Sequence, residues 1–237
     1  MIIFPAIDLC EGQAVRLFKG DFAQKTVYSD DPVSVAEAFV KQGATHVHLV
    51  DLDGAKTGVR RHFELINEIK KRTGLFTEVG GGIRTVSDIE AYLCAGIDRV
   101  IIGTKAAEDP DFITNIPAKY RGKVAVGADI KNGFLAVKGW TETSDKDIFT
   151  FCSFLEKEGI RTVICTDITK DGAMEGTNGG LYKELSEKFD LDIVASGGVS
   201  SIDDVRRLRD MGLYGAIIGK AYYIGAIDLK QAIEVGR

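Results

Sequence analysis

Two kinds of apolar pattern alternate along the chain. Short runs rich in β-branched residues, "IIFPAID", "HVHLVD", "FTEVGG", "RVIIGT", "VAVGAD", "TVICTD", "DIVASGG" and "GAIIGKA", read as strands buried on both faces. Between them lie longer stretches with apolar residues every three to four positions, such as "SVAEAFVKQG", "FELINEIKKR", "DIFTFCSFLEKEG" and "IDDVRRLRDMG", and a short helical stretch near Asp111. That spacing is the period of an amphipathic helix. Strands alternating with helices predict a parallel sheet joined by crossovers, and eight such units favour an α/β (βα)8 TIM barrel over an open sheet. An open doubly wound sheet would carry one glycine-rich turn near its start, which this chain lacks. The 237 residues suffice for one barrel domain over 1–237.

The pattern also repeats. Gly81-Gly82 of "VGGGIRT" and Gly197-Gly198 of "ASGGVSS" stand 116 residues apart, as do Gly103 and Gly219 of the two "IIG" strand ends, and Asp51 and Asp167. "DGAKTG" from Asp53 matches "DGAMEG" from Asp171 with two extra residues in between, and Asp8 of "PAIDL" matches Asp129 of "VGADI". Any barrel repeats its apolar periodicity. Glycines and aspartates in the same order at strand ends point further, to two duplicated (βα)4 half-barrels.

Each half therefore predicts one anion site. A double-glycine turn leads into a helix start, with Thr85 or Ser87 in one half and Ser200 or Ser201 in the other as cap candidates. The next strand ends in Gly103-Thr104 or Gly219-Lys220. Glycine admits close backbone approach, and free N–H groups at a helix start favour an anion, as in the barrel phosphate site after strands 7 and 8. One such turn is usually no more than a turn. Two equivalent pairs, Gly81, Gly82, Gly103 and Thr104 facing Gly197, Gly198, Gly219 and Lys220, predict a ligand with a phosphate at each end.

Asp8 and Asp129 end strands 1 and 5, which lie opposite one another in an eight-strand ring. A pair of carboxylates facing the middle of one ligand suits proton transfer at two of its atoms. A strand-end aspartate often only caps a loop, and Asp51, Asp53, Asp167 and Asp171 compete for the same assignment, with Asp171 the strongest rival. Thr166 is placed to orient an acid or bond a sugar hydroxyl. Trp140, the single tryptophan, sits in the loop after strand 5 and suits stacking on a heteroaromatic ring. Arg16 and Lys19 lie on a long first loop that reads as a lid.

Composition restricts the partners. A net charge of -5 leaves no basic footprint for nucleic acid, so an anionic ligand must be held by local devices. The N-terminus has no basic region before its apolar run, and no apolar run reaches the length of a membrane span. Cys10, Cys94, Cys152 and Cys165 are scattered, and His46, His48 and His62 form no ligand pattern with them. A cytoplasmic, reduced protein without a metal is expected. His46 and His48, alternating on one strand, are expected to pack or hydrogen-bond.

Together, "PAIDLCEGQAVRLFKGD", "VHLVDLDGAKTG", "EVGGGIR", "GADIKNGFLAVKGW", "TDITKDGAMEGTN", "ASGGVSS" and "IIGKAYY" closely resemble the phosphoribosylformimino-5-aminoimidazole carboxamide ribotide isomerases of histidine biosynthesis, from Ile2 to about Ile233. The resemblance implies an Amadori rearrangement of an aminoaldose to an aminoketose without a cofactor. It implies Asp8 as the proton acceptor and Asp129 as the proton donor, with Thr166 and Asp171 supporting them. Arg16, Lys19 and Trp140 would contact a small-molecule bisphosphate substrate, in a monomer needing no partner protein. Two alternatives share the half-barrel plan. One is the cyclase subunit of imidazole glycerol phosphate synthase, which this chain's "AIDLCEG" opening and "AVKGW" run do not match. The other is a dual-specificity isomerase that also accepts phosphoribosylanthranilate, whose arginine-rich fifth loop is not evident here.

Overall fold

The computed structural model describes residues 1–18 and 20–237; Lys19, one of the expected substrate contacts, lies outside the described residues. Twelve strands are present among the described residues: β1 Ile2–Cys10, β2 Gln13–Phe18, β3 Asp21–Ser29, β4 His46–Asp51, β5 Phe76–Gly80, β6 Arg99–Ile102, β7 Val124–Lys131, β8 Phe134–Val137, β9 Glu142–Asp147, β10 Thr162–Asp167, β11 Asp192–Ser196 and β12 Gly215–Ile218. Eight of them, β1, β4, β5, β6, β7, β10, β11 and β12, pair in parallel in that order and close through β12 against β1. This is the (βα)8 TIM barrel expected from the alternation.

The other four strands refine the expectation. The first and fifth loops are antiparallel hairpins, β2–β3 folding back on β1 and β8–β9 on β7. The outer strands β3 and β9, "DFAQKTVYS" and "ETSDKD", are polar and largely exposed and carry little of the apolar signal that marks a buried strand.

Two apolar clusters divide the protein. The larger lies between barrel and helices and includes Ile7, Leu49, Phe39, Ile66, Val126 and Leu155. The smaller fills the barrel lumen with Phe4, Ala6, Ile101, Ala125, Ile164, Val194 and Ile217. Since side chains alternate along a strand, Ala6 in the lumen puts Asp8 on the same inward face, one layer nearer the mouth.

The duplication is repeated in the caps. Thr85 caps the helix Val86–Cys94 through a reciprocal box with Asp88, and Ser201 caps Ile202–Asp210 through the same box with Asp204. Both members of each pair stand 116 residues apart. The match breaks in the loops after β4 and β10, where "DGAKTG" lies largely in the short helix Leu52–Thr57 and "DGAMEG" forms turns. It resumes at the helix caps His62 and Asn178, again 116 residues apart.

Candidate active site

The four strand-end aspartates that compete in sequence separate in space. Asp51 is fully buried and accepts hydrogen bonds from the N–H groups of Gly54, Arg61 and His62. Asp167 accepts from Thr169 N–H and Oγ1 and from Asn178 Nδ2. Both are loop caps. Asp53 is taken up by Glu11 N–H at 2.7 Å and His62 Nε2 at 2.7 Å. Asp171 alone of the four turns to the mouth, its Oδ1 3.5 Å from Arg16 Nη2.

Arg16, on β2, also gives Nη1 to Asp8 Oδ2 at 2.7 Å, so one guanidinium bridges two carboxylates. The hairpin creates this contact: the antiparallel register sets Asp8 opposite Val15 and leaves Arg16 next to it. Burial pushes the Asp8 carboxyl above the ordinary range, Arg16 pulls it back, Asp171 pushes it up again, and His48 lowers it.

Asp129 lies on β7 beside Thr166 of β10 in the parallel register. It accepts a hydrogen bond from Trp140 Nε1 at 2.7 Å. Burial pushes its carboxyl up, and the Trp140 and Thr166 donors, both neutral, oppose the rise. The two carboxyls thus share a dry environment and differ in counter-charge: a permanent cation at Asp8, uncharged donors at Asp129.

Trp140, the candidate for stacking on a ligand ring, donates its N–H to Asp129, and its ring lies against the first hairpin. A methyl group on Gly20 would come within 2.7 Å of Trp140 Cε3. The hairpins of the two halves therefore meet over the mouth.

The double-glycine turns are forced by packing as well as suited to an anion. Gly81 and Gly82 have φ of 107° and 76°, and a methyl group on them would lie 2.1 Å from the Asp51 carbonyl oxygen and 2.3 Å from that of Gly54. Gly197 and Gly198 have φ of 85° and 81° and meet Asp167 and Gly176 in the same way, at 2.7 and 2.2 Å. The spatial counterpart of Gly54 is therefore Gly176, whereas the sequence repeat aligns Gly54 with Gly172. No turn or cap hydrogen bond among the described residues is donated by the N–H of Gly82 or Gly198.

Gly103 and Gly219 start the next helices with nearly identical backbones, φ/ψ of -94°/-113° and -109°/-105°, and without a side-chain cap. Their surroundings differ. A methyl group on Gly103 would meet nothing within 4 Å, and one on Gly219 would strike the Arg16 guanidinium at 2.7 Å. Thr104 Oγ1 accepts from Lys138 N–H of the second hairpin, and Lys220 Nζ donates to the Gly172 carbonyl at 2.8 Å, next to Asp171. Of the residues expected from sequence to face a substrate, Asp8, Arg16 and Asp171 form one contact group and Asp129, Thr166 and Trp140 another at the same end of the barrel.

Sequence reading missed the lumen beneath this group. His48 Nδ1 lies 2.7 Å from Glu78 Oε1, and Arg99 stands beyond Glu78. The expectation of a hydrogen-bonded His48 holds, but a glutamate within "FTEVGG" gave no sign of pointing inward at a histidine.

A family model described as "Histidine biosynthesis protein" matches residues 2–228. The chain is 48% identical over 233 residues to the 1-(5-phosphoribosyl)-5-((5-phosphoribosylamino)methylideneamino)imidazole-4-carboxamide isomerase of Lactococcus lactis subsp. cremoris (strain SK11), covering 98% of this chain and 95% of that protein. It is 47% identical to the protein of the same name from Brachyspira hyodysenteriae (strain ATCC 49526 / WA1) and 43% to that of Thermoanaerobacter pseudethanolicus (strain ATCC 33223 / 39E), each over 237 residues and the full length of both chains.

Proposed function

The chain belongs to the histidine biosynthesis protein family, and on that premise we propose how its residues carry out the isomerisation for which its relatives are named. It is an isomerase of histidine biosynthesis, converting the aminoaldose 1-(5-phosphoribosyl)-5-((5-phosphoribosylamino)methylideneamino)imidazole-4-carboxamide to the phosphoribulosyl aminoketose. The relatives named above carry the isomerase name and not that of a cyclase.

In the proposed mechanism the two phosphates sit on the Gly81, Gly82, Gly103, Thr104 group and the Gly197, Gly198, Gly219, Lys220 group. Asp129, protonated, gives its proton to the ribose ring oxygen as the ring opens. The glycosidic nitrogen's lone pair forms the C1–N double bond, and the resulting iminium acidifies C2. Asp8 removes the C2 proton, the electron pair forms the C1–C2 double bond of an enolamine, and tautomerisation gives the ketone at C2 and the amine at C1. The substrate's own nitrogen is the electron sink, so no cofactor enters. The chain is read as one barrel domain over 1–237, a monomer acting without a partner protein.

The observation that carries the division of labour is the difference in counter-charge. Arg16 at 2.7 Å favours an ionised Asp8, whereas the hydrogen-bond donors set against the burial of Asp129, Trp140 and Thr166, are neutral. Such opposed environments separate a base from an acid. Asp171 shares the Arg16 guanidinium with Asp8.

Turnover of the imidazole carboxamide substrate, followed by absorbance, tests the reading. Asp8→Asn should abolish turnover and keep substrate binding; unchanged turnover would remove Asp8 from the mechanism. A nearly normal Asp129→Asn enzyme alongside an inactive Asp171→Asn enzyme would move the acid role to Asp171. The same preparation assayed with phosphoribosylanthranilate decides whether a second substrate is accepted.

A further inference from the structure

Below the mouth one row of polar side chains crosses the apolar lumen, with His46 against Phe4 beneath it. The parallel registers set Ala6 of β1 beside His48 of β4, His48 beside Glu78 of β5, and Glu78 beside Arg99 of β6. These four residues form one layer, and Asp8 stands directly above Ala6. Glu78 is 0% exposed, and the single hydrogen bond its side chain makes among the described residues is with His48 Nδ1. Arg99 Nη1 lies 3.6 Å from Glu78 Oε2, too far for a hydrogen bond, and both atoms are sealed from solvent without a hydrogen-bonding partner. Arg99 is held elsewhere, its guanidinium between the Phe76 and Tyr214 rings and its Nη2 on the Tyr214 hydroxyl at 3.1 Å.

A carboxylate left this dry costs stability, and an incompletely bonded ion pair does not repay it. Such a group at the floor of an active site calls for a functional reason. The His48 ring supplies one. With Nδ1 against Glu78, its Nε2 is on the far side of the ring, has no protein partner among the described residues, and is not sealed from solvent. A protonated ring here would favour the ionised form of both Asp8 and Asp129.

We propose that Glu78 is a positioning residue for the isomerisation: it fixes the His48 imidazole with Nδ1–H bound below and Nε2 open beneath the Asp8 and Asp129 carboxyls, and holds on the ring the positive charge that keeps Asp8 ionised for proton abstraction. A buried carboxylate bonded to Nδ1–H fixes the orientation of an imidazole and stabilises its protonated form, as the aspartate does in a serine protease triad. The other charged and titratable groups facing this ring are Asp8 with its partner Arg16, Asp129, Asp171 beyond them, Arg99 across Glu78, and His46 and Tyr214 below. Arg16 approaches Asp8 from the hairpin and His48 from the lumen, so Asp8 has a cation on two sides. This inference rests on the isomerase reading.

The experiment is the pH dependence of kcat and KM for the wild type, Glu78→Gln, His48→Gln and the double variant. Gln at 78 keeps the shape and a hydrogen-bond acceptor and removes the charge. Loss of the imidazolium should move the acid limb of kcat/KM upward by about one pH unit in each single variant, about tenfold in rate below the limb, with KM at the optimum little changed. The double variant should match His48→Gln, because Glu78 acts only through the ring. A folded Glu78→Gln enzyme whose acid limb stays in place, or whose rate falls equally at every pH, would overturn the proposal. Should Glu78→Gln fail to fold, an unmoved limb in His48→Gln overturns it instead. A wild type with no turnover at all would count against the isomerase reading and not against Glu78 alone.

Discussion

The indole of Trp140 donates its N–H to Asp129 Oδ2 at 2.7 Å, so the hairpin after β7 reaches back to the carboxyl that ends the same strand. Trp140 adopts a positive φ of 72° to do so, a conformation that a bulky residue holds only when its surroundings require it. The contact makes the second hairpin part of the acid's environment as well as a cover.

Trp140→Phe keeps the ring against Gly20 and removes the donor. The ionised form of Asp129 loses a hydrogen bond, so its carboxyl should rise further, and the alkaline limb of the kcat profile should move upward. A neutral hydrogen bond is worth roughly 1 kcal/mol, so kcat at the optimum should fall about fivefold. A pH–rate profile checks this; an unmoved alkaline limb would disconnect Trp140 from the acid.

Asp129→Asn should separate activity from stability. Burial raises the Asp129 carboxyl in the folded protein. A raised carboxyl favours folding while protonated, and that contribution is lost as pH rises through the folded value. Above the ordinary carboxyl range the buried aspartate therefore costs stability that asparagine does not. Turnover should drop by about 10²- to 10⁴-fold. Tm should rise, or at least not fall, at pH 7 to 8 relative to wild type, with the gain shrinking toward acid pH. A Tm loss at neutral pH would contradict the burial argument.

Arg16→Met removes the cation shared by Asp8 and Asp171 while preserving a long apolar stem. Asp8, left with its burial and with Asp171, should protonate more readily. The acid limb of kcat/KM should rise by about 1 to 3 pH units, with a matching loss of activity below it. Steady-state rates measured across the acid range decide the outcome, and a uniform rise in KM alone would limit Arg16 to substrate binding.

Gly81→Ala and Gly103→Ala form a contrasting pair. Alanine at 81 must place its methyl group against the Asp51 carbonyl at φ of 107°, and should cost about 2–4 kcal/mol in urea denaturation. Alanine at 103 meets nothing, so the fold should be unaffected while its methyl group intrudes on the anion site and raises KM. Inorganic phosphate should stabilise the wild type against heat and protect Gly103→Ala less. Equal denaturation midpoints for Gly81→Ala and wild type would refute the packing argument.

Much of the architecture can be read from the chain alone. Alternating apolar periods specified eight parallel strands, because burial on both faces removes polar residues from a strand and a crossover helix restores a 3.6-residue period. Duplication selected the glycines and the Asp8, Asp129 pair, because a motif kept in order in both halves stands out from single turns and caps. It also offered Thr85 or Ser87 and Ser200 or Ser201 as helix caps, of which Thr85 and Ser201 serve.

Tertiary structure decided the rest. Five of the six aspartates considered as candidates look alike at strand ends or just beyond them, and only three-dimensional placement assigns Asp51 and Asp167 to capping and Asp53 to His62, leaving Asp8, Asp129 and Asp171 at the mouth. The hairpins β2–β3 and β8–β9 bring Arg16 to Asp8 and Trp140 to Asp129, and their polar, largely exposed outer strands β3 and β9 impose no apolar rhythm. The row of His48, Glu78 and Arg99 depends on the register between strands that are 21 to 30 residues apart in sequence. Periodicity is a local property that fixes which face a side chain takes. Which side chains meet across that face is set by register and closure, and these exist only once the barrel has formed.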